Sequence, residues 1–284
     1  MGESFHPPLS APSSIVNFML CLCAALATLS VSIIVRFSGF KTSSSKLVAF
    51  LNLSMSGWMI SKLPHVYPQY MCNTVGFLYS YCIFQVLTIT YFMLKATNTT
   101  LALSHSEGTS SADMKLDNKT IIMIVVFPLV VATPTVAAGR YHKRFEWCQL
   151  DLEGDYDFLL YCFIIALAWV ILLLSLKELY RILTSVWALP PTVYEEMMQQ
   201  IMSGPALYSI AAMVFFVLYD ILLVYGVVRR QYYSDQEEYY VDYVVFTLQY
   251  VLGLSYALIY AMESETLQVN ACPAQERPCD VCRS

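Results

Sequence analysis

Charge is what this sequence has least of. Asp, Glu, Lys and Arg make up 13% of its 284 residues, against about a quarter in soluble domains. A chain that is also 57% hydrophobic, with its apolar residues in long blocks between polar loops, reads as membrane helices and not as a water-soluble core. Histidine is scarce too. His6, His65, His105 and His142 all lie outside the apolar blocks, which excludes a buried histidine metal site. The same scatter leaves Ser255 of Gly253-Leu254-Ser255-Tyr256 without the base an intramembrane serine protease needs. No catalytic residue, cofactor or metal is expected, and the chain reads as a non-enzyme. A net charge of −5 argues against nucleic acid as a partner.

Residues 1–14 lack a basic segment, and Met1-Gly2 is followed by His6 where myristoylation wants Ser or Thr. The first apolar block is therefore expected to act as its own insertion signal. No block alternates as a barrel strand does, and the two halves show no repeat of the kind transporters carry.

Seven apolar blocks remain: Ile15–Val35, Leu47–Leu63, Gly76–Leu94, Ile121–Ala138, Phe158–Leu176, Ala206–Val228 and Val241–Met262. The third runs 19 residues without a charge, about 28 Å as a helix, enough to cross a bilayer core. The fourth contains Pro128 and Pro134, tolerated in membrane helices. The fold expected is all-α, a seven-transmembrane-helix bundle over 15–262, with the N-terminus outside. Residues 1–14 form an extracellular segment and 263–284 a short cytoplasmic tail.

That orientation puts ten Lys and Arg residues on the inner side and six on the outer. It also puts Cys72 and Cys148 together outside, where oxidising chemistry belongs. Each is the single cysteine of its outer segment, so a disulfide between them is expected; two free thiols are the alternative. Cys21, Cys23, Cys82 and Cys162 lie inside apolar blocks as inert thiols. Cys272, Cys279 and Cys282 lack a fourth ligand for zinc; an unstructured tail or palmitoylation of Cys272 remain for them. The sequons at Asn52, Asn98 and Asn118 fall inside the membrane or on the inner face, so none is expected to carry glycan.

Cys72 with Gly76-Phe77, Trp147-Cys148, and Gly253, Ala257 and Tyr260 in the last block give the chain a resemblance to a known family. It resembles the slime-mould cyclic-AMP-receptor-like G-protein-coupled receptors, as a divergent member. That family opens its third helix with a Cys before a Gly-Phe pair, carries Trp-Cys in its second outer loop, and ends its seventh helix in Gly-x-x-x-Ala-x-x-Tyr. Leu207-Tyr208 matches the family's Leu-Tyr-Pro, with Ser209 in place of proline. The family's tryptophan in helix three is missing around Ile89-Thr90-Tyr91, Tyr256 stands for its asparagine, and the long tail is absent. The resemblance covers roughly 15–262. It implies an extracellular ligand, a heterotrimeric G-protein partner and the plasma membrane, with helices five and six as the movable part.

Asp220 is the one acid deep inside an apolar block. A carboxylate there costs a few kcal/mol unless it is paired or faces a cavity, so it is either a ligand contact or a hydrogen-bonded structural acid. Facing inward, it would share a ligand site with Thr88 and Tyr91 of the third helix and with Trp147 above. Arg140, Lys143 and Arg144 beside Trp147 suit an anion, yet the outer segments hold ten acids against six bases. That balance favours a neutral or cationic ligand. Lys95, Lys177 and Arg181 lie at the inner ends of helices three and five, placed either to meet a G protein or to anchor at the interface. The function expected is a G-protein-coupled receptor binding an extracellular ligand within the bundle. The alternative is a seven-helix transporter or channel with Asp220 as its ion site.

Overall fold

The computed structural model describes residues 12–37, 43–63, 66–107, 117–137, 141–144, 147–150, 155–188, 190, 194–195, 198, 205–229 and 235–271. Seven long helices account for nearly all of them. They are α1 (Pro12–Phe37), α2 (Ser43–Ser61), α3 (Cys72–Glu107), α4 (Asn118–Ala137), α5 (Asp155–Trp187), α6 (Pro205–Arg229) and α7 (Asp235–Ala271). A short 3₁₀ turn, Gln69–Met71, leads into α3. Between α4 and α5 lie β1 (Tyr141–Arg144) and β2 (Trp147–Leu150), paired antiparallel with Lys143 opposite Cys148 and Arg144 opposite Trp147.

The core is largely apolar, yet large apolar side chains also cover the outside while polar ones are found within. Large apolar side chains such as Leu26, Ile122, Val130, Phe163, Leu173 and Leu258 are exposed. Asn17, Thr28, Asn52, Gln85, Ser209, Asp220 and Gln249 are buried. Polar groups inside and hydrocarbon outside suit a lipid solvent. Among the described residues, four stretches are long and apolar enough to cross a membrane: Ile15–Phe37, Gln69–Leu101, Phe158–Trp187 and Tyr240–Met262. The chain is a helical membrane protein.

α3 is the hub. It packs against α2, α4, α5 and α6 and against both strands, while α7 packs on α1, α2 and α6. Small and polar residues carry these contacts, as they must where lipid offers no hydrophobic drive between helices. Down the α1–α2 seam, Cys21 Sγ donates to Met59 O, Ser56 Oγ to Ala25 O and Ser32 Oγ to Ala49 O, at 3.1, 3.1 and 3.0 Å. Ser54 Oγ donates to Gln85 Oε1 of α3 at 2.8 Å. A Cβ on Gly57 would stand 2.8 Å from Cys82 Sγ, so that glycine sets how closely α2 and α3 approach.

Three expectations need correction. α3 does not stop at Leu94, the end of the third apolar block, but continues through the polar residues after it to Glu107. Thr97 and Thr99 turn their hydroxyls onto Met93 O and Lys95 O one turn back, so these polar residues are satisfied within a helix. α2 ends at Ser61, two residues before the expected limit, and Lys62 lies in the turn beyond it. The segment before α5, read as a plain hydrophilic loop, is a two-stranded hairpin.

Candidate functional site

One end of the helix assembly is covered by that hairpin. Cys148 on β2 is disulfide-bonded to Cys72, the first residue of α3, with Cα atoms 5.2 Å apart. The bond joins residues 76 apart in sequence and makes the hairpin an extension of α3. One strand over, Tyr141 N donates to Asn73 Oδ1 at 3.1 Å and the Tyr141 hydroxyl meets Ser80 Oγ at 3.0 Å. The Tyr141 ring packs on α3 where Gly76 leaves room; a methyl there would clash with the ring. The Gly76→Ala protein should therefore lose about 1–3 kcal/mol, the usual cost of overpacking. In a Tyr141→Ala background the same change should cost almost nothing, and equal losses in both backgrounds by thermal unfolding would refute this contact.

Trp147 is buried in the other direction, its ring 4.7 Å from that of Phe246 on α7. Between these anchors sits Lys62. Its Nζ donates to Cys148 O at 3.0 Å and stands 4.0 Å from the Tyr79 ring centroid and 4.8 Å from that of Phe246. Its own carbonyl accepts from the Tyr250 hydroxyl at 3.1 Å. Lys62 thus ties the turn after α2 to β2, α3 and α7 through one side chain. Burial pushes its amine down to about 7, a shift that the nearby Asp242 carboxylate opposes.

Below the hairpin is an aromatic layer. Trp58 of α2 stacks on Phe216 at 5.5 Å and meets Phe215 and Tyr219 edge-on at 5.8 and 6.2 Å. The Tyr79 and Tyr219 hydroxyls are hydrogen-bonded to each other, linking α3 to α6. Asp220 follows directly. It is 3% exposed, and its Oδ2 has no hydrogen-bond partner among the described residues.

Asp220 is thus turned inward, but the structure does not bring Thr88 and Tyr91 to it. The Tyr79–Tyr219 bond and the bond from Ser209 Oγ to Thr90 O fix the antiparallel register of α3 and α6. In that register Thr88 and Tyr91 lie level with the start of α6, at least nine residues or roughly 13 Å further from the hairpin. Thr88 spends its hydroxyl on Phe84 O at 2.7 Å, and Tyr91 packs edge-on against Phe92 at 5.2 Å. Trp147 stands at the hairpin end.

At the opposite end, Glu178 of α5 is buried and accepts from Asn98 Nδ2 of α3 at 2.8 Å and from Arg181 at 2.9 Å. Lys95 and Lys177 are exposed, with Lys95 Nζ 5.9 Å from the Tyr91 ring centroid. Arg181 is exposed beyond its ion pair. Asn98→Asp would set a second carboxylate against Glu178. It should lower the unfolding midpoint more than Asn98→Ala, which removes one hydrogen bond worth about 1 kcal/mol; the reverse order would refute the pairing.

No family model matches the chain, and no curated protein matches it. Among the described residues no group of three or more His, Cys, Asp or Glu side chains could hold a metal. Arg140, the side chains of Lys143 and Arg144, and the tail cysteines lie outside the described residues.

The residues missed by sequence reasoning are Lys62, Tyr79, Tyr141 and Gln249. Two four-residue runs separated by Phe145-Glu146 were the available hairpin signal. A lysine at the edge of an apolar block ordinarily reads as an interface anchor, and nothing local marks Lys62 as buried.

Proposed function

We propose that this chain is a seven-transmembrane receptor of the plasma membrane, with its N-terminus outside, that binds an extracellular ligand and signals through a heterotrimeric G protein. On this reading it is a divergent relative of the cyclic-AMP-receptor-like receptors it resembles. The hairpin end faces outward and the Asn98–Glu178–Arg181 end faces the cytoplasm.

The observation that carries the reading is the role of α3. One continuous helix is covalently joined to the hairpin at its first residue and hydrogen-bonded to α5 at Asn98. A ligand that favours one seating of the hairpin and of α6 over another would bias what α3 and α5 present at the far end. Lys95, Lys177 and Arg181 supply positive charge there for an acidic partner surface.

The test has two parts. An epitope within residues 1–14 should be labelled on intact cells, and one within 263–284 only after permeabilisation; the opposite labelling overturns the orientation. A screen of extracellular compounds with a G-protein activation readout should then find an agonist whose response Lys177→Glu and Arg181→Glu weaken. Agonist-driven ion flux with no G protein present would favour the transporter or channel.

A further inference from the structure

Near the hairpin end, Asp220 and Gln249 are inward polar side chains with atoms left unpartnered among the described residues. Asp220 Oδ2 on α6 is buried without a hydrogen bond, and Gln249 on α7 is fully buried with neither amide atom bonded. Buried carboxylates and carboxamides ordinarily have partners, since leaving one unmade costs on the order of 1–3 kcal/mol or more.

The two lie on packed helices within about two helical turns of each other in depth. Gln249 is one residue from Tyr250, whose hydroxyl reaches Lys62 O, and one turn from Phe246, whose ring faces Lys62 Nζ. The same Nζ lies over Tyr79, and Tyr79 is bonded to Tyr219, next to Asp220. α6 and α7 pack against each other. The charges here are not equivalent. Lys62 is met by a carbonyl, two ring faces and the nearby Asp242, whereas no cation pairs with the Asp220 carboxylate among the described residues. Asp220 is the group left open to a positive charge.

We infer that Asp220 and Gln249 form the seat of a small organic cation: an ammonium group on the Asp220 carboxylate, with an adjacent hydroxyl or amide on Gln249. This rests on reading the molecule as a ligand-binding receptor. The excess of acids in the outer segments draws a cation in.

Gln249 makes the test decisive. If its amide is kept for a ligand, Gln249→Leu removes an unpaired buried group, so the empty protein should become more stable while its response to ligand falls. The probes are ethanolamine, choline, phenethylamine and tyramine, with ethylene glycol, phenylacetate and sodium chloride as controls. The readout is the unfolding midpoint of the full chain in detergent.

At least one amine should raise the midpoint while the controls do not. Asp220→Asn should abolish that shift, and Gln249→Leu should weaken apparent affinity about tenfold while raising the unliganded midpoint. No shift from any amine, an equal shift from sodium, or an undiminished shift in Gln249→Leu would overturn the assignment; the last arm decides even if Asp220→Asn fails to fold. Amine binding without G-protein activation would keep this site and remove the receptor reading. G-protein activation by an agonist indifferent to both substitutions would do the reverse.

Discussion

Replacing Cys148 with serine is expected to lower the stability of this protein by about 2–5 kcal/mol, the range for losing a native disulfide. The bond joins residues 76 apart, so its loss frees a long loop in the unfolded chain. It also releases the strand that carries Trp147 and the carbonyl that Lys62 holds. Cys72→Ser should cost the same, and the double variant no more than either alone, because each change removes one shared bond. Thermal unfolding in detergent, with and without reductant, reads this directly. Reductant should shift the wild type and leave all three variants unmoved; additive losses from the two serines would mean the cysteines act separately.

The second large effect belongs to Lys62. Lys62→Glu would set a carboxylate against Cys148 O and two ring faces, close to Asp242. It should fail to fold or lose more than about 3 kcal/mol, as when a buried charge is left uncompensated. Lys62→Met keeps the bulk without the charge and should fold.

The pair also has a pH signature. Burial holds the amine at about 7, below the 10.5 of an unburied lysine. Below about 7 folded and unfolded chains both keep the proton. Between the two values the folded chain has released it and the unfolded chain has not, so unfolding takes up a proton and stability rises with pH. The wild type should therefore gain on Lys62→Met as pH is raised from about 7 towards 10. A difference that stays flat would place the amine in water, contrary to its 4% exposure.

The helices were legible in the sequence because lipid imposes a length and a composition that a single chain displays. Each of the seven apolar blocks lies almost entirely within a helix, and the misplaced limits have local causes. α3 runs past Leu94 because Thr97 and Thr99 satisfy themselves on the preceding turn, which polarity alone does not reveal. Cys72 and Cys148 were legible as a pair because few cysteines compete for the role.

The site was less legible, because depth is set by register. Asp220 read as inward, and it is. Its expected neighbours Thr88 and Tyr91 lie lower because α3 and α6 pair Tyr79 with Tyr219, an alignment that apolar patterning does not encode. Lys62 and Gln249 gave no signal at all. Each is one polar residue at the edge or middle of an apolar block, and only the packing of α2, α3 and α7 shows both buried.

Receptor and transporter part company most cleanly in reconstituted vesicles. The full chain is placed in lipid with a heterotrimeric G protein, and nucleotide exchange is followed alongside ion flux as agonist is added. The account predicts agonist-dependent exchange, weakened by Lys177→Glu and Arg181→Glu, with no agonist-driven flux. Flux that persists without the G protein, with exchange unchanged by agonist, would contradict it.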